Sequence, residues 1–562
     1  MSSFPRSLRR ALEQSAQRFG SRPSVALVDG DSMTYDVLWQ RAQQVGAFLK
    51  GAGIGFGDRV ALLSENMPNW VAAYFGITAS GAVAVPILPD FHSSDIARIL
   101  RHAGIKAVFV SRRLLTKIGE LAPSETGAIV LLENWQQVIA GETDPDGGTP
   151  ILDVHAAPST VYAVPERLPV ADDLASIVYT SGTTGHSKGV MLTHGNLLSD
   201  VEATMTIVSL DETDRMLSIL PLPHTYESTL GMILPIVRGS SVYYMDKPPT
   251  APVLLPALTR VRPTVMLSVP LIIEKIYKAK IQPELMKSAL LRKAIGVPVL
   301  RKALHRIAGK KLLRTFGGEL RLFCIGGAPL APDVESFLRE AKFPYAIGYG
   351  LTETAPLIAG TGPERTRLRS TGPALRGTTI RIQDPNPRTG EGEIMVKGPT
   401  VMKGYYRDEE KTRQVLSDDG WLSTGDLGVI DADGFIFIKG RSKNMILGPS
   451  GKNIYPEEIE AVINEFEHVR ESVVYEHQKR LVALVHLDYE RLQKALQSLS
   501  ESDIRQKANA LLADLQKEIN DRVPLYARIH RIIEQAEPFQ KTPTQKIKRH
   551  LYIPTALRRD HH

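Results

Sequence analysis

Residues 179–189 read Tyr-Thr-Ser-Gly-Thr-Thr-Gly-His-Ser-Lys-Gly and directly follow the apolar run Ala-Ser-Ile-Val at 175–178. The apolar run predicts the end of a buried strand, and glycines let the chain turn sharply and approach a ligand closely. Hydroxyls, free N–H groups and one ammonium then suit a polyphosphate, and they are supplied by Thr180, Ser181, Gly182, Thr183, Thr184 and Lys188. The spacing G-x-x-G-x-x-K-G differs from that of a Walker A loop, and composition alone would also allow an ordinary turn.

Short apolar runs alternate with amphipathic segments up to about residue 440. Examples of the apolar runs are residues 60–63, 107–110 and 128–132. This alternation predicts an α/β fold with helices layered on parallel sheets, and a polar stretch at 141–149 predicts a surface loop. Short strands with Gly turns at 378–398 predict a small β subdomain, and Asp-Ala-Asp-Gly at 431–434 predicts a hairpin turn.

The chain has 562 residues, which is too long for one hydrophobic core, so at least two domains are expected. Polar and basic residues at 441–444 predict a hinge between a large N-terminal domain, 1–440, and a small mobile α+β domain, 445–562. Within the small domain the apolar pattern predicts helices at 456–467 and 502–521. It also predicts strands near 473–474 and 482–487.

The composition is that of a soluble globular protein, with 43% hydrophobic and 23% charged residues. A net charge of +7 fits ordinary surface charge, anionic ligands such as nucleotides or CoA, or an anionic membrane surface; no nucleic-acid partner is expected. The only cysteine, Cys324, excludes an internal disulfide framework and fits a reducing cytoplasm. Residues 66–89 carry no charge, but Pro and Gly interrupt them, which predicts a buried helix and a core strand instead of a transmembrane helix.

Six further motifs follow in order along the chain. They are Leu-Thr-His-Gly-Asn at 192–196, Leu-Pro-Leu-Pro-His-Thr-Tyr-Glu at 220–227, Gly-Gly-Ala-Pro-Leu at 326–330, Tyr-Gly-Leu-Thr-Glu-Thr at 349–354, Trp-Leu-Ser-Thr-Gly-Asp at 421–426 and Thr-Pro-Thr-Gln-Lys-Ile-Lys-Arg at 542–549. Taken singly, each has a plain structural explanation, such as a packed histidine, a tight turn, a helix N-cap or a solvated basic tail. Together with 179–189 they resemble the adenylate-forming superfamily of acyl-CoA synthetases, luciferases and peptide synthetase adenylation domains over nearly the whole chain.

The resemblance implies roles for two loops that would form the acyl site. His224 would line the pocket for the substrate carboxylate and position it, which is distinct from base catalysis. Gly326, Gly327 and Ala328 would border both the adenine and the acyl tunnel. A tight turn after a strand is the structural alternative for these glycines.

The motif at 349–354 is implied to bind nucleotide and metal. Tyr349 would stack on the purine, and Gly350 and Thr352 would lie against the nucleotide and its phosphates. Glu353 would bind Mg²⁺ together with Thr184, since carboxylate and hydroxyl oxygens are hard ligands.

The remaining nucleotide contacts are implied near the predicted hinge and at the C-terminus. Asp426 would accept hydrogen bonds from both ribose hydroxyls, and Arg441 would contact ribose or phosphate. Lys443 would be the hinge residue, where the family often has Asp. Lys546 would neutralise charge during adenylation, although Gln545 stands where the family usually has Gly.

The implied reaction uses ATP, Mg²⁺ and CoA. A carboxylate attacks the α-phosphorus of ATP to give acyl-AMP and pyrophosphate, and a thiol then takes the acyl group and releases AMP. Residues 448–460 resemble the segment that receives the pantetheine arm of CoA. The residues of this segment assigned to CoA are Gly451, Lys452 and Asn453.

The acid substrate is implied by two segments, 261–270 and 274–277, that look like those of long-chain fatty acid–CoA ligases. The predicted acid substrate is therefore a medium- to long-chain fatty acid. A fatty acyl-AMP ligase that loads an acyl carrier protein, an aryl or short-chain CoA ligase, and a non-catalytic nucleotide-binding scaffold remain as alternatives. Retention of all the motifs argues against the scaffold.

A basic amphipathic stretch follows at 287–314. It contains nine Lys or Arg residues and no Asp or Glu, interleaved with Leu and Ile. A pair of surface helices with solvated charges is the first interpretation. The alternative is that a cytoplasmic enzyme contacts the anionic inner face of a membrane there.

Overall fold

The computed structural model describes residues 4–119, 121–138, 150–152, 167–181, 187–447, 453–466, 468–489, 501–542 and 546–553. The loop predicted at 141–149 lies outside these residues. Two eight-stranded sheets, here called A and B, form the large domain, and sheets of four, two and three strands follow along the chain. This arrangement confirms the α/β fold class.

Sheet A has six parallel strands with an antiparallel strand at each edge. In spatial order its strands are Leu357–Gly360, Tyr345–Gly350, Leu322–Ile325, Val265–Ser268, Arg215–Ser218, Ser241–Tyr244, Pro23–Leu27 and Ser32–Thr34. Parallel strands present their carboxyl ends at one edge of a sheet, where ligands commonly bind. The loops that follow residues 218, 325 and 350 therefore come together.

Sheet B has five parallel strands and three antiparallel ones. In spatial order its strands are Gly404–Tyr405, Ser187–Thr193, Leu174–Ser181, Val83–Ile87, Arg59–Leu63, Ile105–Val110, Ala128–Leu131 and Gln137–Val138. The predicted strand before the glycine-rich loop is confirmed. It continues to Ser181 and pairs with the strand that follows the loop.

The α-helices are Leu8–Phe19, Tyr35–Gly51, Pro68–Ala79, Ser93–Ala103, Pro123–Thr126, His194–Thr204, Leu234–Arg238, Ala251–Val261, Pro270–Ile276, Gln282–Met286, Ala289–Ile295, Pro298–Thr315, Pro332–Glu340, Glu409–Val415, Pro456–Asn464 and Glu501–Arg522. The uncharged segment 66–89 forms a helix whose residues 70–79 are all buried, followed by the buried strand Val83–Ile87. That confirms its assignment to the core. In the part of the chain that the structure covers, no helix is both long enough and apolar enough to span a bilayer.

Sheet C has the strands Thr379–Gln383, Gly392–Lys397, Leu422–Ile430 and Ile436–Arg441, all antiparallel. The predicted β subdomain is therefore larger than 378–398, because the predicted hairpin at 431–434 joins its last two strands. Residues 442–444 form one helical turn directly after this sheet. The hinge predicted there begins where the sheet ends, and its motion stays a prediction.

Beyond this turn, a two-stranded ribbon pairs Ile446–Leu447 with Asn453–Ile454. A three-stranded sheet follows, formed by Val469–His477, Arg480–Leu487 and Ile529–Glu534. Its helices pack their apolar side chains on the sheet around a separate hydrophobic cluster. The helix predicted at 456–467 ends at Asn464, three residues early, whereas the helix predicted at 502–521 spans Glu501–Arg522.

Candidate active site

The glycine-rich loop joins two strands of sheet B at their ends. Thr180 pairs with Lys188 across the hairpin, and Ser181 pairs with Ser187. The tip of the loop, which includes Gly182, Thr183 and Thr184, lies outside the described residues. The hairpin therefore fixes where both arms of the predicted phosphate loop begin.

Lys188 lies beside two groups from distant parts of the chain. Its ammonium nitrogen is 4.7 Å from the centre of the Tyr405 ring, and the Tyr405 hydroxyl donates a hydrogen bond of 2.9 Å to Glu353 Oε1. Burial lowers the pKa of Lys188, and the negative charge of Glu353 partly offsets this shift. The three side chains thus form one polar cluster at the mouth of the hairpin.

Glu353 reaches this cluster because the chain turns sharply after a strand of sheet A. The strand Tyr345–Gly350 is followed by a single helical turn, Thr352–Thr354. A β-carbon at Gly350 would lie 1.8 Å from the Pro356 carbonyl oxygen. Only glycine permits this approach, so Gly350 sets the position of Thr352 and Glu353.

Asp426 is a buried carboxylate with two defined partners. Its Oδ2 accepts a hydrogen bond of 2.7 Å from the Tyr349 hydroxyl, and its Oδ1 lies 2.7 Å from Arg441 Nε. Burial raises the pKa of Asp426, while Arg441, Tyr349 and Lys546 lower it. An ionised carboxylate has about four acceptor positions, so both oxygens keep room for ribose hydroxyls.

His224 lies in the loop that follows strand Arg215–Ser218 of sheet A. Its Nδ1 accepts a hydrogen bond of 3.2 Å from the backbone N–H of Tyr226. Burial lowers the pKa of His224 to about 4, and the positive charge of Lys546 acts in the same direction. The imidazole is therefore neutral near pH 7, which suits a positioning group better than a cation.

The loop Gly326–Ala328 lies next to this histidine loop. A β-carbon at Gly326 would lie 3.3 Å from the Tyr226 ring, and Gly327 has a φ of 85°, in the region that favours glycine. The backbone at Gly326 therefore passes close to an aromatic ring. The role of these residues at the border between nucleotide and acyl sites stays a prediction.

Lys546 comes from the far end of the chain. Its position is held by a short backbone pairing in which Thr542 N–H donates to the Lys546 carbonyl at 2.7 Å. The Lys546 side chain is exposed to solvent. Protein atoms nevertheless surround it closely enough that desolvation lowers its pKa. The nearby charge of Arg441 lowers the pKa further, while Asp426 and Glu353 raise it.

The structure thus brings five predicted residues to one cleft. They are His224, Glu353, Asp426, Arg441 and Lys546. Three of them come from the large domain proper, one from the start of the predicted hinge and one from the small domain. Two cations, two carboxylates and a neutral imidazole can together bind a nucleotide and the charge of a reacting carboxylate.

The predicted CoA segment is only partly described. Gly451 and Lys452 lie outside the described residues. Asn453 stands in the two-stranded ribbon, where its amide donates to the Tyr455 hydroxyl at 3.4 Å, and that hydroxyl donates to Glu391 at 3.1 Å. Asn453 therefore ties the ribbon to sheet C, and its role toward CoA stays a prediction.

Residues 12–406 match the family model described as AMP-binding enzyme. This chain belongs to the AMP-binding enzyme family. The predicted membership is thereby confirmed, and the match covers most of the large domain that carries the cleft.

Over most of its length, this AMP-binding enzyme is similar to proteins named as acyl-CoA synthetases and fatty acid ligases. Peroxisomal long chain acyl-CoA synthetase 6 of Arabidopsis thaliana is 30% identical over 581 residues, covering 94% of this chain and 81% of the relative. The chloroplastic long-chain-fatty-acid–acyl-carrier-protein ligase of the same plant is 27% identical over 624 residues, covering 96% and 84%. Among solved structures, the ATP-bound RpMatB-BxBclM chimera B1 has a TM-score of 0.76 at 27% identity, covering 97% of this chain and 98% of that one.

An apolar cavity opens beside Tyr226 in this AMP-binding enzyme. It is a narrow space of about 40 Å³ between strands of sheet A and the helices packed on them. The side chains on its walls include Ile207, Leu230, Leu267, Cys324, Ile347 and Leu357. Because Tyr226 also contacts the His224 loop, the cavity and the polar cleft adjoin each other.

Three residues of the site were not predicted from sequence. Tyr405 holds Glu353, and Asn66 holds the His224 loop: its amide nitrogen donates to Leu220 O at 2.6 Å and its oxygen accepts from Leu222 N at 2.8 Å. Glu227 lies beneath that loop and accepts a hydrogen bond of 2.5 Å from Ser218. Glu227 was visible at the end of the 220–227 motif, whereas nothing local indicated Tyr405 or Asn66.

Glu227 should make the stability of this enzyme depend on pH. Burial raises the pKa of Glu227 to about 8, so above pH 4.5 the folded chain keeps a proton that the unfolded chain releases. The free energy of unfolding therefore falls as pH rises from 4.5 to about 8, by an amount on the order of 4 kcal/mol. Glu227→Gln still accepts from Ser218 and cannot ionise, so it should remove this part of the decline.

Melting temperatures of both proteins at pH values from about 5 to about 9 check this expectation. The exposed Glu212→Gln variant serves as the matched control, because Glu212 lies at the surface. The Glu227→Gln curve should converge with or exceed the wild-type curve at high pH, while the Glu212→Gln curve runs parallel to it. Parallel curves for Glu227→Gln would show that the buried carboxyl is already ionised.

Proposed function

We propose that this AMP-binding enzyme activates a fatty acid with ATP and transfers the acyl group to CoA. The observation that carries the proposal is the meeting of Lys546, Asp426 and Glu353 in a cleft that adjoins an apolar cavity. The cleft suits the charged carboxylate and nucleotide, and the cavity suits an apolar chain. The names of the relatives support the same chemistry.

The acid would lie with its chain in the cavity and its carboxylate near His224. Apolar walls favour an alkyl chain by about 0.8 kcal/mol for each buried CH₂. The neutral His224 would orient the carboxylate without competing with Lys546 for its negative charge. The apolar lining, together with the names of the long-chain relatives, supports a medium- to long-chain fatty acid over an aryl or short-chain acid.

In the first step an oxygen of the carboxylate attacks the α-phosphorus of ATP, and the bond to pyrophosphate breaks. Acyl-AMP forms and pyrophosphate leaves. Lys546 would neutralise the charge that builds between carboxylate and α-phosphate. Asp426 would hold the ribose, and Lys188 with the glycine-rich loop would hold the β- and γ-phosphates.

Mg²⁺ is implied as a partner of ATP, and the residues present fit it. Mg²⁺ usually binds one or two protein carboxylates and completes its shell with phosphate oxygens and water. Among the described residues, no group of three or more His, Cys, Asp or Glu side chains could hold a metal, whereas Glu353 offers one oriented carboxylate. When bound, the ion would neutralise phosphate charge; Glu353 would hold it, with Thr184 as a second candidate.

In the second step the CoA thiol attacks the acyl carbonyl carbon, and the bond to AMP breaks. The thioester and AMP form, and the thiol proton is released. We propose that the small domain rotates about Lys443 between the steps, so that Lys546 leaves and the 448–460 segment approaches the cleft. An acyl carrier protein is the second candidate acceptor, in view of the carrier-protein ligase among the relatives.

Fatty-acid-dependent exchange of pyrophosphate into ATP tests the proposed activation step. A panel of acids from short to long chains, with benzoate, should show exchange that rises with chain length. Adding CoA or holo-acyl carrier protein then identifies the acceptor by the thioester formed. Exchange with benzoate alone, or with no acid at all, would contradict the assignment.

A further inference from the structure

Two consecutive helices carry an unusual surface outside the cleft. They are Ala289–Ile295 and Pro298–Thr315, and we call their solvent side the basic face. The segment 287–314 contains nine cationic side chains and no acidic one. The predicted pair of surface helices is confirmed.

Most of these cations have no acidic partner among the described residues. Arg301 is bound by Glu340, and Lys287 and Lys311 lie 3.9 and 3.8 Å from Glu284. Within the described part of the chain, no carboxylate lies within 4.0 Å of the remaining six, which are Arg292, Lys293, Lys302, Arg306, Lys310 and Arg314. The basic face therefore carries positive charge that the described carboxylates do not neutralise.

Large apolar side chains are exposed on the same segment. Leu290 is 81% exposed, Val299 77% and Ile307 67%, and Met286, Val297 and Leu300 are also exposed. These six are a large share of the 14 exposed large apolar side chains among the described residues. Isolated exposed apolar residues are ordinary, but a cluster of them marks an interaction surface.

The other side of the longer helix is fixed to the protein. His305, Gly309 and Leu312 are buried, and a β-carbon at Gly309 would lie 2.7 Å from the Ala341 side chain. Three Arg301–Glu340 hydrogen bonds of 3.2, 3.1 and 2.8 Å add a further tie. The basic face is thus held in a fixed orientation.

Helical geometry places the apolar and cationic side chains on one side. Each residue turns the helix by about 100°, so Val299, Arg306 and Lys310 nearly align and Ile307 lies beside them. A surface for a soluble polyanion would need the cations but not exposed aliphatic chains. A helix that lies at a membrane surface needs both, because its apolar side chains enter the lipid while its cations meet the headgroups.

We propose that the basic face docks on an anionic phospholipid bilayer. Docking there would place the enzyme where fatty acids partition. The benefit of docking therefore rests on the proposed function. Binding itself requires neither ATP nor CoA. Failure to bind membranes and failure to activate a fatty acid are therefore separate outcomes.

Sedimentation of the full chain with vesicles tests the proposal. The vesicles are phosphatidylcholine alone or phosphatidylcholine mixed with phosphatidylglycerol. We expect binding to the anionic vesicles only. Binding should weaken as salt rises from about 0.1 to about 1 M, which shortens the Debye length from about 10 to about 3 Å.

Three variants locate the surface. K302E/R306E/K310E should lower partitioning at least about 100-fold, at about five-fold for each cation. L290S/V299S/I307S should lower it at least about 10-fold, because the side chains that would enter the lipid are shortened and made polar. R388E/R413E/K479E makes the same change in net charge at exposed sites elsewhere and should change partitioning less than about two-fold.

The outcomes separate the alternatives. Equal binding to neutral and anionic vesicles, no binding, or an equal loss in the control variant would overturn the proposal. Unchanged binding of the Leu290, Val299 and Ile307 variant would assign the face to a polyanion such as nucleic acid, which also overturns it. Pyrophosphate exchange with octanoate, measured without vesicles, should stay near wild type in all variants and so show that they fold.

Discussion

Lys546→Ala should slow acyl-AMP formation by at least about 100-fold and leave thioester formation from supplied acyl-AMP unchanged. The size follows from the loss of one positioned charge at the site where negative charge accumulates. Lys546 lies close enough to Asp426, Glu353 and Arg441 that the charges of all three shift its pKa. In the second half-reaction the phosphorus chemistry is complete, so the ammonium is no longer required.

Single-turnover rates for the two half-reactions measure this difference. Lys548→Ala is the matched control, since Lys548 lies two residues away on the same short segment and is assigned no part in the cleft. It should keep both rates within a few-fold of wild type. An equal loss of both half-reactions in Lys546→Ala would mean that the substitution distorts the small domain.

Asp426→Ala should raise the KM for ATP by about 10–100-fold, the range expected for lost hydrogen bonds to a charged group. The carboxylate is buried between Tyr349 and Arg441, and ribose would add its two hydroxyls to the same oxygens. Since Arg441 is about half exposed, water can solvate it after the substitution. The cost should therefore appear in nucleotide binding more than in stability.

Tyr349→Phe supplies the comparison for this prediction. It removes one donor to Asp426 Oδ2 and leaves the carboxylate, so the KM for ATP should rise only a few-fold. Equilibrium binding of a non-hydrolysable ATP analogue would show the same order without turnover. Unchanged ATP affinity in Asp426→Ala would exclude the ribose role and leave Asp426 as a partner of Arg441 alone.

The parts predicted well from sequence are those with a local signal. The strand before the glycine-rich loop, the buried helix at 68–79 and the helix pair within 287–314 all follow from side-chain periodicity over a few residues. The motifs gave the residues of the cleft in chain order. These residues come together because they follow parallel strands of sheet A. The alternation of apolar runs and amphipathic segments along the chain also predicts those parallel strands.

Tyr405 and Asn66 could not be found this way, because their roles depend on contacts across the chain. Tyr405 reaches Glu353 across 52 positions, and Asn66 reaches the 220–222 loop across more than 150. Neither position has a local pattern that distinguishes it from an ordinary core or surface residue. The extent of sheet C was underestimated for the same reason, since its two central strands, Gly392–Lys397 and Leu422–Ile430, pair across a long connection.

In the proposed activation step, a fatty acid carboxylate attacks the α-phosphorus of ATP. Palmitate labelled with ¹⁸O in both carboxylate oxygens tests it directly, with ATP, Mg²⁺ and CoA present and the products read by mass spectrometry. AMP should gain one ¹⁸O atom, and the thioester should keep the other. Label in inorganic phosphate with ADP as the nucleotide product, or thioester formation with unlabelled AMP, would contradict it.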